Sequence, residues 1–98
     1  MVKVRLSPAA RADLVEIDAY SAGEFGADVA DAYVRGFQEV FLKLAQHPHI
    51  GPARPEYGRG VRCVMHRSHR VLYRHLDEAV LILRILHHAR QVRLGSPS

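Results

Sequence analysis

Arginine, histidine and tyrosine recur through the second half of this sequence in a pattern that suits anion chemistry. Arg62, Arg70, Arg74 and Arg84 alternate with apolar residues, and His87, His88, Arg90 and Arg93 close the same stretch. Successive side chains of a strand point to opposite faces, so several of these cations are expected on one sheet face or edge. Such a cluster can contact phosphate or hold carboxylates bidentately. A nuclease that cuts RNA through its own 2′-OH needs a base, an acid and cationic groups around a phosphorane-like transition state. His87 or His88, Tyr73 and Arg90 are residue types that supply them. The competing reading is structural: Tyr73 belongs to the core, Arg84 caps a sheet edge and the histidines end a strand.

Other chemistries lack their motifs. There is no P-loop, no GxGxxG, no HExxH and no paired cysteine motif, so a nucleotide site is not expected and no cofactor is assigned. Gly58-Arg59-Gly60 is too short to cradle phosphate. His47 and His49 sit in a loop, and His66 and His69 flank a hairpin corner. Neither set has partner ligands at structural-zinc spacing, so no metal is expected. Cys63 is the single cysteine and lies between Val61 and Met65 on an apolar stripe. It reads as a buried, inert thiol. With one cysteine no internal disulfide forms, which fits a reducing cytoplasm.

The elements that must position these residues follow from periodicity. Val2 to Leu6 reads as a short strand. Ser7-Pro8 is a helix start, because serine caps free N–H groups and proline suits the first helical position. The first helix is expected from about Pro8 to Gly23, with Ala10, Leu14, Ile17 and Ser21 on one face and Asp13, Glu16 and Asp18 outward or in the early turns. Phe25-Gly26 breaks the pattern. The second helix is expected from Ala27 to Gln46, with Ala30, Tyr33, Phe37, Val40, Phe41 and Leu44 as its apolar stripe. His47 to Gly60, rich in proline and glycine, reads as an irregular loop. Three strands follow: Val61–Arg67, His69–His75 and Ala79–His88, the last apolar on both faces as a central strand should be. The tail, residues 91–98, is expected to be frayed. The order β-α-α-β-β-β implies an α+β fold, with an antiparallel helix pair on one face of a small, mainly antiparallel sheet. The other face is left to bind something or stay wet.

The chain of 98 residues has room for one domain spanning 1–98. No secretory h-region opens it, and no apolar run approaches a membrane span, so no membrane contact is expected. Charge is unevenly placed. Residues 1–50 carry five basic and seven acidic side chains, whereas residues 51–98 carry nine and three. Five of the seven histidines also lie in the second half. Such asymmetry points to RNA, DNA or an acidic protein as partner, against a plainly solvated basic face.

Three segments in order resemble the ParE-type toxins of the RelE/ParE superfamily. They are VRLSPAARADLVEIDAY from Val4, LAQHPHIGPARPEYGRGVRCV from Leu44 and HRVLYRHLDEAVLILRILHHARQ from His69. The resemblance covers essentially the whole chain. It implies the toxin of a bacterial type II toxin–antitoxin system, with a cognate antitoxin, often of the ribbon-helix-helix ParD type, as partner. The antitoxin's acidic, amphipathic segment would pair with basic side chains while the helix pair takes apolar anchors. ParE-type toxins are associated with poisoning DNA gyrase without catalysing a reaction. The RelE branch instead cuts messenger RNA on the ribosome. Here His87-His88-Ala89-Arg90 stands where ParE-like chains show His-Gly-x-Arg, and His88 replaces the glycine. The residues expected to meet antitoxin or target are Arg62, Arg70, Tyr73, Arg74, Arg84, His87 and Arg90. The nuclease alternative would use His87, His88 and Arg90, and a third reading is a non-toxic antitoxin-binding homologue. No sequence-specific nucleic-acid contact is expected.

Overall fold

A computed structural model of the chain describes residues 1–89. Strand β1 (Lys3–Leu6) runs through Ser7 directly into helix α1 (Pro8–Phe25). The Ser7 hydroxyl accepts from the Ala10 N–H at 3.0 Å and donates to the Leu83 carbonyl at 2.8 Å. One side chain therefore starts the helix and ties it to the sheet. Pro8 opens the first helical turn, where its missing N–H costs nothing. Gly26, at φ +91°, then turns the chain into helix α2 (Ala27–Gln46). That backbone region favours glycine, so a single residue suffices for the helix–helix corner. α1 continues to Phe25, past the expected end at Gly23, because nothing before Gly26 stops it.

After the loop come β2 (Val61–His66), β3 (His69–Leu76) and β4 (Ala79–His87), and the sheet order is β1-β4-β3-β2. β2 and β4 both pair antiparallel with β3, and β1 lies parallel to β4. The α+β expectation holds, with one parallel pairing in an otherwise antiparallel sheet. Pairing of β3 with β4 steps from Leu72–Arg84 to Tyr73–Ile82. Leu83 is thus the extra residue of a bulge, and its carbonyl is the one that Ser7 holds.

The helix pair covers one face. Phe37 and Leu44 of α2 and Ala10 of α1 pack with Val71, Tyr73, Val80, Ile82 and Ile85. Each large apolar side chain buried in this way contributes roughly 1.5–3 kcal/mol. The expected stripe of α2 supplies this core, with Tyr33, Val40 and Phe41 at its margin. On the other face Tyr57 packs with Val61, Cys63, Leu72 and Leu86. Tyr57 sits on a short 3-10 turn, Pro55–Tyr57, and Ala53 bridges to Arg62. The loop expected to be irregular is therefore partly regular, because it must lay an aromatic lid on the sheet. The face expected to bind or stay wet is in part covered by that lid. Burial pushes the Cys63 thiol upward in pKa, as an inert packing residue requires.

Candidate functional site

β1 is shorter than β4, and the consequence is an open sheet edge. Their pairing ends at Leu6–Ile82, after which the Ser7 N–H reaches the Ile82 carbonyl at 2.9 Å. From there the chain is α1, while β4 continues to His87. Asp13 of α1 fills the first vacant place. Its Oδ2 accepts from the Ile85 N–H at 2.8 Å and from Arg84 Nε at 2.9 Å, and its Oδ1 accepts from the second Arg84 nitrogen at 3.0 Å. The carboxylate thus stands in for one residue of a neighbouring strand. Its hydrogen bonds hold the Arg84 guanidinium still more firmly in its charged form. Asp13 was expected to point outward or to serve the early turns of the helix. It is buried instead, 6% exposed. Ala10, Asp13 and Ile17 are spaced three and four apart, so helical period places Asp13 on the inner face whatever its charge.

Beyond Asp13 the edge is unfilled. Both main-chain groups of an antiparallel residue point the same way, and alternate residues share a direction. Because the Ile85 N–H faces α1, the Ile85 carbonyl and the N–H and carbonyl of His87 face outward too. Among the described residues no strand pairs with them. Alongside runs a groove of about 570 Å³, walled by Ile17 and Tyr20 of α1, Phe25 at its end, Val29 and Tyr33 of α2, and β4 from Ile85 to His87. Tyr20, Phe25 and Val29 are 67%, 65% and 51% exposed. Asp13 and Glu16 sit within this lining, as do Ser68, His69 and His87. An apolar trough beside unpaired backbone groups is equipped to hold an extended or amphipathic peptide segment.

The residues singled out in the sequence do not converge on one surface. Tyr73 is fully buried, and its hydroxyl donates to the Pro48 carbonyl at 2.8 Å while accepting from the Gly51 N–H at 3.0 Å. The structure therefore puts it in the core, where it anchors the proline-rich loop. Gly51 must be glycine there, because a Cβ would lie 2.7 Å from the Cys63 carbonyl oxygen. Arg62 donates to the carbonyls of Gly51 and His49, at 2.7 and 3.3 Å, and Arg74 Nε donates to the Arg59 carbonyl at 2.9 Å. Arg84 is held by Asp13. Arg70 is half-buried, across from Leu86 and Met65 on its neighbouring strands. His87 reaches the groove, and His88 stacks on it with centroids 4.5 Å apart. Arg90 and the expected tail lie outside the described residues. No cluster of three metal-ligating side chains occurs among the described residues.

Sequence reasoning missed a second set. Tyr33 Oη and His69 Nδ1 are 2.7 Å apart, and His66 packs edge-on to Phe37 with centroids at 4.4 Å. Burial pulls His66 below the usual imidazole range. Burial pulls His69 down as well, and its neighbours His87, His66 and His88 add to the shift. The signal available was Tyr33 at the inner-face spacing of α2, with His66 and His69 on either side of the corner.

The topology, a helix hairpin carried on β1-β4-β3-β2, is the fold of the RelE/ParE toxins, and comparison with known proteins shows the family. A family model described as the ParE toxin of type II toxin–antitoxin system, parDE, matches residues 4–92. Toxin ParE1 of Caulobacter vibrioides is 36% identical over 93 residues, covering 95% of this chain and 96% of that protein. Toxin ParE1 of Mycobacterium tuberculosis is 36% identical over 88 residues, covering 89% and 90%. A chain of the chromosomal ParDE toxin–antitoxin system from P. aeruginosa superimposes with a TM-score of 0.77 at 27% identity, covering 89% of this chain and 96% of that one. A chain of the RelBE2 toxin–antitoxin complex from Mycobacterium tuberculosis follows at 0.65 and 26%, covering 88% and 96%. The chain belongs to the ParE toxin family of type II toxin–antitoxin systems. No helix among the described residues is long and apolar enough to cross a membrane.

Proposed function

We propose that this chain inhibits DNA gyrase and is held inactive by a cognate antitoxin seated in the groove along β4. The observation that carries the second half of this reading is the edge at the Ile85 carbonyl and His87, which pairs with no strand among the described residues, beside exposed Tyr20, Phe25 and Val29. An antitoxin segment extended along that edge would satisfy its main-chain groups and set alternate side chains into the trough. Solved chains of similar fold come from toxin–antitoxin systems, which supports an antitoxin partner here. A ribbon-helix-helix partner with an acidic tail would find Arg70 and the exposed Arg67 at the hairpin corner. The gyrase target is drawn from ParE family membership. The test is direct: the purified chain is added to gyrase supercoiling and cleavage-complex assays, with and without the product of the adjacent reading frame. Inhibition relieved by that product is the expected result. Undisturbed supercoiling with no trapped complex would reject the gyrase reading.

One observation favours a nuclease as the second reading. His69 and His87 face each other with centroids at 5.5 Å, and Tyr33 orients His69. Such a pair can serve as acid and base. Against it, Tyr73 is buried and Arg84 is committed to Asp13, so neither can serve at the imidazoles. Message cleaved on ribosomes by the intact chain, and not by His69→Ala with His87→Ala, would establish this reading in place of the first.

A further inference from the structure

Aromatic rings run without interruption from the middle of α2 to the end of β4. Phe37 meets His66 at 4.4 Å between centroids, His66 meets Tyr33 at 5.2 Å, Tyr33 meets His69 at 5.6 Å, and His69 meets His87 at 5.5 Å. The β2–β3 corner is held to the helix through these contacts. His66 lies directly on the α2 backbone at Gly36, where any Cβ would overlap the imidazole. Its Nε2 is buried and has no hydrogen-bond partner among the described residues. A neutral imidazole tolerates that position; an imidazolium would be a buried cation with one proton unanswered.

We propose that the rings Tyr33, His66, His69 and His87 form a proton-sensitive latch, closed while His66 and His69 are neutral and released when those two protonate at mildly acidic pH. The charged groups facing the latch are few. From the corner comes Arg67, which opposes a charge on His66, and from α2 comes Glu39, which favours it. From the end of β4 comes His87, from the residue after it His88, and from β2 His66, each opposing a charge on His69. From α1 comes Asp13, which favours it but already serves Arg84 and the Ile85 N–H. Each added proton therefore places a cation mainly among imidazoles and beside Arg67. Burial holds His66 and His69 below their ordinary values. In the released state they titrate near 6.5, so that state binds more protons over the interval just below. Closure is then complete above about 6.5 and is lost as pH falls through the depressed native values. Each histidine contributes at most about tenfold in the opening constant per pH unit. Since His69, Tyr33 and His87 wall the groove, release would also loosen a bound segment, a consequence that rests on the antitoxin reading above.

The experiment uses the whole chain without a partner, so its outcome is independent of that reading. Imidazole resonances are titrated by NMR, and amide exchange, corrected for its intrinsic pH dependence, is followed at pH 7.5 and 5.5. His66 and His69 are expected to titrate below 6.5. Protection at the β2–β3 corner should fall at least threefold at the lower pH while the β1–β4 amides keep theirs. His66→Phe with His69→Phe should remove the difference. Titration at or above 6.5, equal loss of protection throughout the sheet, or an undiminished difference in the double variant would each overturn the latch. Should the double variant fail to fold, the wild-type titration and exchange map decide alone. As a separate arm, affinity for the adjacent-frame product is measured at both pH values. A loss greater than threefold is expected for the wild-type chain and not for the variant, and equal affinity would sever the latch from the groove.

Discussion

Replacing Asp13 by alanine tests whether one carboxylate completes the sheet edge. The substitution strips Arg84 of its bidentate partner and leaves the Ile85 N–H buried without an acceptor. Removing one member of a buried ion pair typically costs about 3–5 kcal/mol. The Arg84 side chain is 29% exposed, so it recovers some hydration and the lower end applies. An orphaned buried amide adds about 1–3 kcal/mol, much of it already inside that figure. The net expectation is a loss of about 3 kcal/mol, a large fraction of the stability of a domain this small. Asp13→Asn can keep one oxygen as acceptor for the Ile85 N–H and Arg84 Nε, but it loses the charge and turns an amide NH2 toward the second Arg84 nitrogen, so about 1–3 kcal/mol is expected. Urea unfolding followed by circular dichroism reads both. With a slope near 1 kcal/mol/M, Asp13→Ala should lower the midpoint by roughly 3 M, without changing the slope. Arg84→Met and the double variant complete a cycle whose coupling should exceed about 1 kcal/mol. A cost for Asp13→Ala below about 0.5 kcal/mol, or additivity within that margin, would refute the claim that this pair substitutes for a strand.

Tyr73→Phe removes the hydroxyl that bonds Pro48 and Gly51, and should cost about 1–2 kcal/mol in urea unfolding, with faster amide exchange at Gly51. Glu56→Gln removes the exposed pair with Arg54 and is expected to leave the urea midpoint where it was.

How far the sequence reaches depends on whether the determinant is local. The bounds of α2 match because Gly26 and Pro48 punctuate them, and the hairpin strands match to within one residue at each end because alternation and corner residues are written into short windows. Asp13 was misplaced because its charge was weighed before its period. The open edge was not legible, since it follows from the unequal lengths of β1 and β4 and from their being neighbours, a pairing across 76 residues that no local pattern declares. The arginines show the same division. Alternation fixes which way each leaves its strand, but loop carbonyls distant in the chain decide what Arg62 and Arg74 hold.

The basic second half therefore needs a different account from the one its composition invites. Arg62 and Arg74 satisfy loop carbonyls, and Arg84 neutralises a carboxylate that the helix buries. These cations close the fold around chain segments lacking strand partners of their own. The groove along β4 has none of these arginines in its lining; it is walled largely by apolar side chains beside main chain that pairs with no strand among the described residues, with carboxylates as well as imidazoles in the lining. Charge such as the exposed Arg67 and the half-buried Arg70 then mainly governs encounter rate and its salt dependence, as charges at the rim of an interface do. Apolar anchors and strand addition set how long a segment stays. An acidic tail would be drawn by the former, and specificity would come from whether its apolar side chains match the spacing of Tyr20, Phe25 and Val29 along the edge of β4.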